Sequence, residues 1–318
     1  MRGGRWLLGL GIAVSFGVAP AQSPTVVSYR GADLRAKNFA NAKLRGVDFK
    51  GANLTGADLT NADLRDSDLS EAYLMDVKAS RANLGNARLG SADLSRADLR
   101  DANLEGADLT RATMQSAKLQ NARMMGVLAN GVNFKRAQLD SADLSGAYLS
   151  GSDFSQANLP RAVLRKADLG SAGPGQPGPI AALLTGANLS DADLSEANLT
   201  GAQMRESVLE SALFRNAVMR SADLSWTRAR GANFSGAGLS WVKAYAADMR
   251  SARFDKADLS MAQLEGADFT GAQFSGARLD MANMNQCTLA GAVFTGSSTQ
   301  RLSLNAIKGS MPIFAETK

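Results

Sequence analysis

The sequence contains no histidine and one cysteine, Cys287, among 318 residues. A disulfide needs two cysteines and a structural zinc site needs several Cys or His ligands, so both kinds of cross-link are excluded. Covalent catalysis by Ser or Cys commonly needs a neighbouring base such as His, which is also missing. Aromatic residues make up only 6% of the chain. We therefore expect no enzyme, no bound metal and no cofactor.

The first 21 residues, MRGGRWLLGLGIAVSFGVAPA, have a basic start, an apolar run and a small-residue ending. This order is typical of a secretory signal peptide, with cleavage before Gln22. A membrane anchor is the alternative, but the apolar run is shorter than the ~20 residues of a span. We predict an exported protein with no transmembrane segment after cleavage. The periplasm is the expected compartment, with secretion or a thylakoid lumen as alternatives.

The rest of the chain repeats one five-residue motif, as in SADLSRADLRDANLEGADLT at residues 91–110. With four exceptions, every fifth residue from Leu34 to Leu169, and again from Leu184 to Phe294, is Leu, Phe or Met. The residue two places before each is usually Ala. The four exceptions to the large apolar residue are all alanine: Ala79, Ala129, Ala229 and Ala244.

A period of five fits neither regular element. On an α-helix the apolar residues would spread around the axis, and on one long strand they would alternate between faces. A coil with flat sides can bury all of the apolar residues together, because in a short extended A-x-L piece the Ala and Leu side chains point the same way. The Gly, Ser, Thr, Asn and Asp residues that follow are turn formers. The sequence thus predicts an all-β solenoid with leucine inside.

Phenylalanine spacing predicts the number of sides. Phenylalanines recur every twenty residues at positions 214, 234, 254, 274 and 294, and Phe134 and Phe154 have the same spacing and phase. Twenty residues are four repeats, so like rings stack if each coil has four sides.

The motif A-(D/N)-L-x-x, held from Ala32 to about Gly296, resembles the pentapeptide-repeat family. The resemblance implies a right-handed quadrilateral β-helix, here of about 13 four-sided coils. In such a stack each coil contacts only its neighbours. The resemblance also suggests one possible activity. Some members of the family imitate the shape and negative charge of DNA and so inhibit DNA gyrase.

The pattern divides the chain at a Pro/Gly-rich break near its middle. We assign residues 1–21 to the signal peptide, 22–31 to an N-terminal cap and 32–169 to the first β-helix segment. Residues 170–183 are a loop or distorted repeats, 184–296 are the second segment, and 297–318 are a C-terminal cap or tail. A flexible linker between two separate helices is the alternative for the break. An exposed end coil would permit homodimerisation.

One stretch, residues 205–256, departs from the repeat. It holds nine basic residues against five acidic ones and carries Trp and Tyr at outward positions. Exposed Trp and Arg are typical of interface hot spots, although a solvated, drifting surface is the alternative. The candidate partner-binding residues are Arg215, Trp226, Arg228, Arg230, Trp241, Tyr245, Arg250 and Arg253.

These observations favour a non-catalytic, exported scaffold that binds an unknown protein or envelope component. Gyrase inhibition by DNA mimicry is disfavoured, because the net charge is +5 and falls to +3 without Arg2 and Arg5. Binding of an anionic polymer through residues 205–256 is a further alternative, but the charge excess is small. Nucleic acid is therefore not an expected partner. The repeated Asp residues are assigned to hydrogen bonds with turns rather than to catalysis.

Overall fold

The computed structural model describes residues 27–171, 178 and 180–310. The predicted signal peptide, residues 22–26 of the predicted cap and the last eight residues lie outside that part. The described residues form no helix, and their only strand pairing is a series of single-residue parallel bridges separated by turns. None of them belongs to a helix long and apolar enough to cross a membrane.

The bridges wind the chain into a four-sided coil. Each bridge joins residues twenty apart, as in Asp33 to Asn53, and the next side begins five residues later. We number the sides by their bridge rows: side 1 runs from Asp33 to Ser303, side 2 from Asn38 to Lys308, side 3 from Lys43 to Val293, and side 4 from Ser28 to Ser298. A corner is named by the two sides that it joins.

Each corner is a tight turn with a left-handed residue. The first corner is closed by a 3.0 Å hydrogen bond from Ala32 N to Tyr29 O. Its third residue, Gly31, has φ +65°, and the equivalent residue of almost every other corner also has positive φ. That is the position at which a type II turn requires positive φ. Large side chains rarely adopt this conformation, which explains the frequent Gly, Asn, Asp and Ser at the corners.

The bridge residues are often Asp or Asn for a local reason. The Oδ1 atom of Asp58 accepts a hydrogen bond from the N–H of Thr60 at 2.9 Å, and Asp108 receives the same bond from Thr110. The carboxylate thereby satisfies a backbone donor at the corner. The structure confirms the assignment of these side chains to turns.

The interior is built from the repeated apolar residues of all four sides. Leu, Phe and Met fill the centre, and the alanine two places earlier packs beside them with almost no exposed surface. Five phenylalanine rings, from Phe214 to Phe294, stack on side 3 with centroids 4.5–5.0 Å apart. This distance is the rise of one coil, because neighbouring strands lie about 4.8 Å apart.

At the break the bridges step by thirty residues instead of twenty, as in Asp153 to Leu183. Ala182 N donates to Leu169 O at 2.8 Å, which is the bond that closes an ordinary corner. One 4/1 corner therefore has ten additional residues between Ser171 and Ala182, and the coil is continuous from Leu169 to Ala182 across it. The Ser150 hydroxyl donates to Gly170 O at 2.9 Å and fastens the base of this insertion.

The insertion separates two sets of phenylalanines that share a phase in the sequence. Ten residues correspond to two sides, so Phe134 and Phe154 lie on side 1, whereas the stack from Phe214 to Phe294 lies on side 3. The pair stacks on itself at 4.7 Å. The seven phenylalanines therefore form two separate stacks, although they share one phase in the sequence. Pro174, which has the same phase, lies outside the described residues.

Both ends of the coil extend beyond the boundaries assigned from the sequence. Ser28 already bridges to Asp48, within the predicted N-terminal cap. At the other end, the bridges continue through Ser303 to Lys308, within the predicted C-terminal tail. Leu302 and Ile307 occupy slots that usually hold Ala, and both pack partly buried against the core. Thr299 and Gly309 also replace the usual large inner residue, and these departures hide the last repeats in the sequence.

Candidate partner-binding surface

The structure distributes the eight candidate residues around the rod. Trp226, Trp241 and Tyr245 border side 1. The remaining candidates lie on sides 2 and 3 and their corners: Arg215, Arg228, Arg230, Arg250 and Arg253. Neighbours in the sequence occupy successive sides, so a basic stretch does not become a single basic patch.

Trp226 lies at the 1/2 corner in contact with Arg205, which also approaches Asp223. The Arg205 guanidinium carbon lies 4.3 Å from the centroid of its ring, a cation–π contact. Arg205 Nη1 also lies 3.4 Å from Asp223 Oδ2. One face of the indole is thus covered and the charge of Arg205 is balanced. Trp226 is 48% exposed nevertheless.

Trp241 lies at the 4/1 corner and lines a shallow depression on side 1. The depression has a volume of about 380 Å³ and is also lined by Arg220, Ser221, Lys243 and Gln263. Among the described residues, no carboxylate lies within ion-pair distance of Arg220 or Lys243. The depression therefore combines an exposed indole with two cations that form no ion pair with the described residues, although Lys243 follows Asp223 on side 1.

Several arginines on sides 2 and 3 have carboxylate partners. Arg250 forms two hydrogen bonds with Asp248, at 2.6 and 2.7 Å, and these bonds hold the pKa of Asp248 below its usual value. Arg253 lies 3.0 Å from Asp255. Exposed pairs contribute little to stability. They do, however, reduce the free positive charge of this surface.

Tyr245 is also engaged. Its hydroxyl donates a hydrogen bond to the side-chain oxygen of Gln263 in the next coil. The ring is half-buried along the edge of side 1. Tyr245 thus holds Gln263, one of the residues that line the depression.

Two methionines at the corner that carries Trp241 were not identified from the sequence. Met261 and Met281 follow Trp241 at the 4/1 corner in the next two coils. Met281 is 47% exposed and Met261 is half-buried. Their twenty-residue spacing was the available signal, but both lie beyond the stretch selected for its charge.

The described residues contain no catalytic constellation. No group of three or more acidic or thiol side chains among them is placed to hold a metal ion. Cys287 is fully buried, and burial raises the pKa of its thiol to about 12. A thiol that remains protonated at neutral pH is a poor nucleophile. The depressions at the corners are shallow, and none of them is lined by two carboxylates.

A family profile described as pentapeptide repeats matches segments within residues 30–172 and 180–298. The chain belongs to the pentapeptide-repeat family. Proteins of this family fold as right-handed quadrilateral β-helices and generally act as non-catalytic scaffolds, so the predicted family and general fold are confirmed. No curated protein matches the sequence significantly.

Solved pentapeptide-repeat structures resemble the chain in part. HetL from the cyanobacterium Nostoc sp. PCC 7120, involved in heterocyst differentiation regulation, is 28% identical. The match covers 84% of this chain and 90% of HetL, with a TM-score of 0.35. A protein of the Arabidopsis thaliana thylakoid lumen is 35% identical over 28% of this chain and 66% of its own, with a TM-score of 0.18. QnrB1, a plasmid-mediated fluoroquinolone resistance protein, is 22% identical over 61% of this chain and 88% of its own, with a TM-score of 0.26. These scores support no transfer of function.

Proposed function

We propose that this pentapeptide-repeat protein is an exported, non-catalytic scaffold that binds a protein or envelope partner through residues 205–281. The observation that carries the proposal is the concentration of exposed Trp, Met and Arg side chains in this segment. Elsewhere in the described coil the corners hold mainly Gly, Asn, Asp, Ser and charged residues. Aromatic, Met and Arg side chains are enriched at protein interfaces.

DNA mimicry receives less support from the surface charge. A mimic needs a continuous acidic row, but on side 4 the row from Asp48 and Asp68 is interrupted by Arg88 and then by Leu128. Arg88 Nη2 also lies 2.9 Å from Asp68 Oδ2 and balances its charge. The acidic row on this side is therefore interrupted, and the charge of Asp68 is balanced.

Affinity capture from an envelope extract tests the proposal. The baits are the native protein and a variant with four arginines changed to glutamine: Arg228, Arg230, Arg250 and Arg253. We expect the native chain to retain a specific protein. If the variant loses it, the arginines of sides 2 and 3 carry the contact; if the variant keeps it, the contact lies away from these four arginines. A native bait that retains nothing contradicts the scaffold proposal.

The same protein preparation tests export. When the full chain is expressed in a bacterium and recovered from the periplasm, its N-terminal residue should be Gln22. Recovery in the cytoplasm with Met1 still present would contradict the export proposal.

A further inference from the structure

The corner residues of the coil share one left-handed conformation, which is strained for bulky side chains but not for Gly. In the described chain only four of the left-handed corner positions hold a large apolar residue: Trp226, Trp241, Met261 and Met281. Their φ angles are +58°, +62°, +59° and +58°. Bulky side chains at positive φ are backbone outliers. Such outliers often mark functional positions, where another requirement outweighs the strain.

Three of these four residues occupy a single corner in consecutive coils. Trp241, Met261 and Met281 succeed one another at the 4/1 corner, and we call them the Trp–Met edge. Strands of adjacent coils are about 4.8 Å apart, so the three side chains follow one another along the rod. Trp241 and Met281 are each nearly half exposed. A corner that only faces solvent has no need for large apolar side chains, nor for their repetition in consecutive coils.

The charge beside the edge indicates what would cover it. Arg220 and Lys243 line the depression next to Trp241, and no described carboxylate lies within ion-pair distance of either. A partner that covers Trp241 would bring its own groups against these two cations. Complementary charge across an interface favours carboxylates at that place.

We infer that the Trp–Met edge binds an acidic protein segment, whose apolar side chains pack on Trp241, Met261 and Met281 while its carboxylates pair with Arg220 and Lys243. The inference rests on the proposed scaffold function and names the partner chemistry. Methionine favours a protein ligand, because Met adapts to varied apolar surfaces and is enriched at protein interfaces. Two free cations are too few for strong binding of a nucleic acid, which depends on many phosphate contacts.

The backbone conformation provides a variant that should fold. Asn tolerates the left-handed region, so Trp241→Asn, Met261→Asn and Met281→Asn together remove the apolar surface and relieve the strain. We expect this triple variant to melt at the same temperature as the native protein or higher. Its matched control is Ser251→Asn, at the diagonally opposite 2/3 corner, where φ is +56°.

Panning a phage-displayed library of random dodecapeptides on the full-length protein tests the inference. We expect enriched peptides that combine Asp or Glu with aromatic or aliphatic residues. Their affinity should fall about tenfold or more in the triple variant and stay unchanged in Ser251→Asn. Rising salt, or Arg220→Gln with Lys243→Gln, should weaken the same peptides.

Several results would overturn the inference: no enriched peptide, enriched peptides without acidic residues, or equal binding to the native protein and the triple variant. Self-association abolished in the triple variant would also overturn it, because a second copy would then cover the edge. An envelope partner that is captured equally by the native protein and the triple variant would leave the scaffold function standing while removing the edge from it.

Discussion

Replacing Phe254 by alanine is expected to lower the free energy of unfolding by about 3–5 kcal/mol. The ring is almost fully buried between Phe234 and Phe274, with centroids 5.0 and 4.9 Å away and planes within 6° of parallel. Phe269 meets its edge from side 2 at 5.8 Å. Removing it leaves a cavity in the middle of the stack.

Urea unfolding followed by circular dichroism measures this loss, with hydrogen exchange across the neighbouring coils as a local readout. Each coil contacts only its neighbours, so exchange should increase most near Phe254, whose N–H is bonded to Gln273 O at 2.7 Å. The matched control is Phe254→Leu, because Leu is the commonest residue at this position of the repeat. The control should lose less than about 1.5 kcal/mol. Equal losses in both variants would contradict the account.

Enlarging a small interior residue should have the next largest effect. Ala102→Leu is expected to destabilise the protein by about 1–3 kcal/mol or more, because it adds volume to a filled core. Ala82, Ala102 and Ala122 follow one another inside side 3, and none has exposed surface. Residues larger than valine occupy equivalent slots only near the two ends of the described coil, where Lys37 is exposed and Leu302 and Ile307 are half-buried.

The control is a serine at the same position, which adds a hydroxyl group but little volume. Ser67 and Ser207 occupy equivalent slots, and each donates to the carbonyl three residues earlier, at 2.6 and 2.7 Å. Ala102→Ser can make the same bond to Leu99 O, so we expect a loss below about 1 kcal/mol. A thermal melt compares the two variants. A leucine variant as stable as the serine variant would show that the slot is not size-limited.

Much of the fold was predictable because five-residue periodicity has few physical solutions. The inward Leu and Ala, the turn formers at the corners and the local role of Asp all follow from that periodicity. The position of the phenylalanines across the break was not predictable. Ten inserted residues are two full repeats, so the five-residue register hides a shift of two sides. Phe154 and Phe214 therefore share a phase and lie on opposite sides.

The candidate surface was harder to predict than the fold. Arg228, Arg230 and Arg253 are close in the sequence but lie on different sides or corners, because every five residues turn the chain onto another side. Residues that share a surface are twenty apart, as Trp241 and Met261 are. Reading the corner positions in steps of twenty would have revealed the Trp–Met edge. Charge counted along the chain could not.

The central structural claim is that one coil runs through the break, with ten additional residues between Ser171 and Ala182 at the 4/1 corner that also carries the Trp–Met edge. An engineered disulfide tests it most directly, in a Cys287→Ala background. Asp153→Cys with Leu183→Cys places the thiols on bridged neighbours, whose Cα atoms should be about 4.8 Å apart and within disulfide range. We expect this pair to oxidise to an intramolecular bond and Asn158→Cys with Gly178→Cys, twenty residues apart, to stay reduced, because Asn158 bridges to Asn188. The reverse outcome would mean that the coil keeps a twenty-residue step through the break, and it would contradict the account.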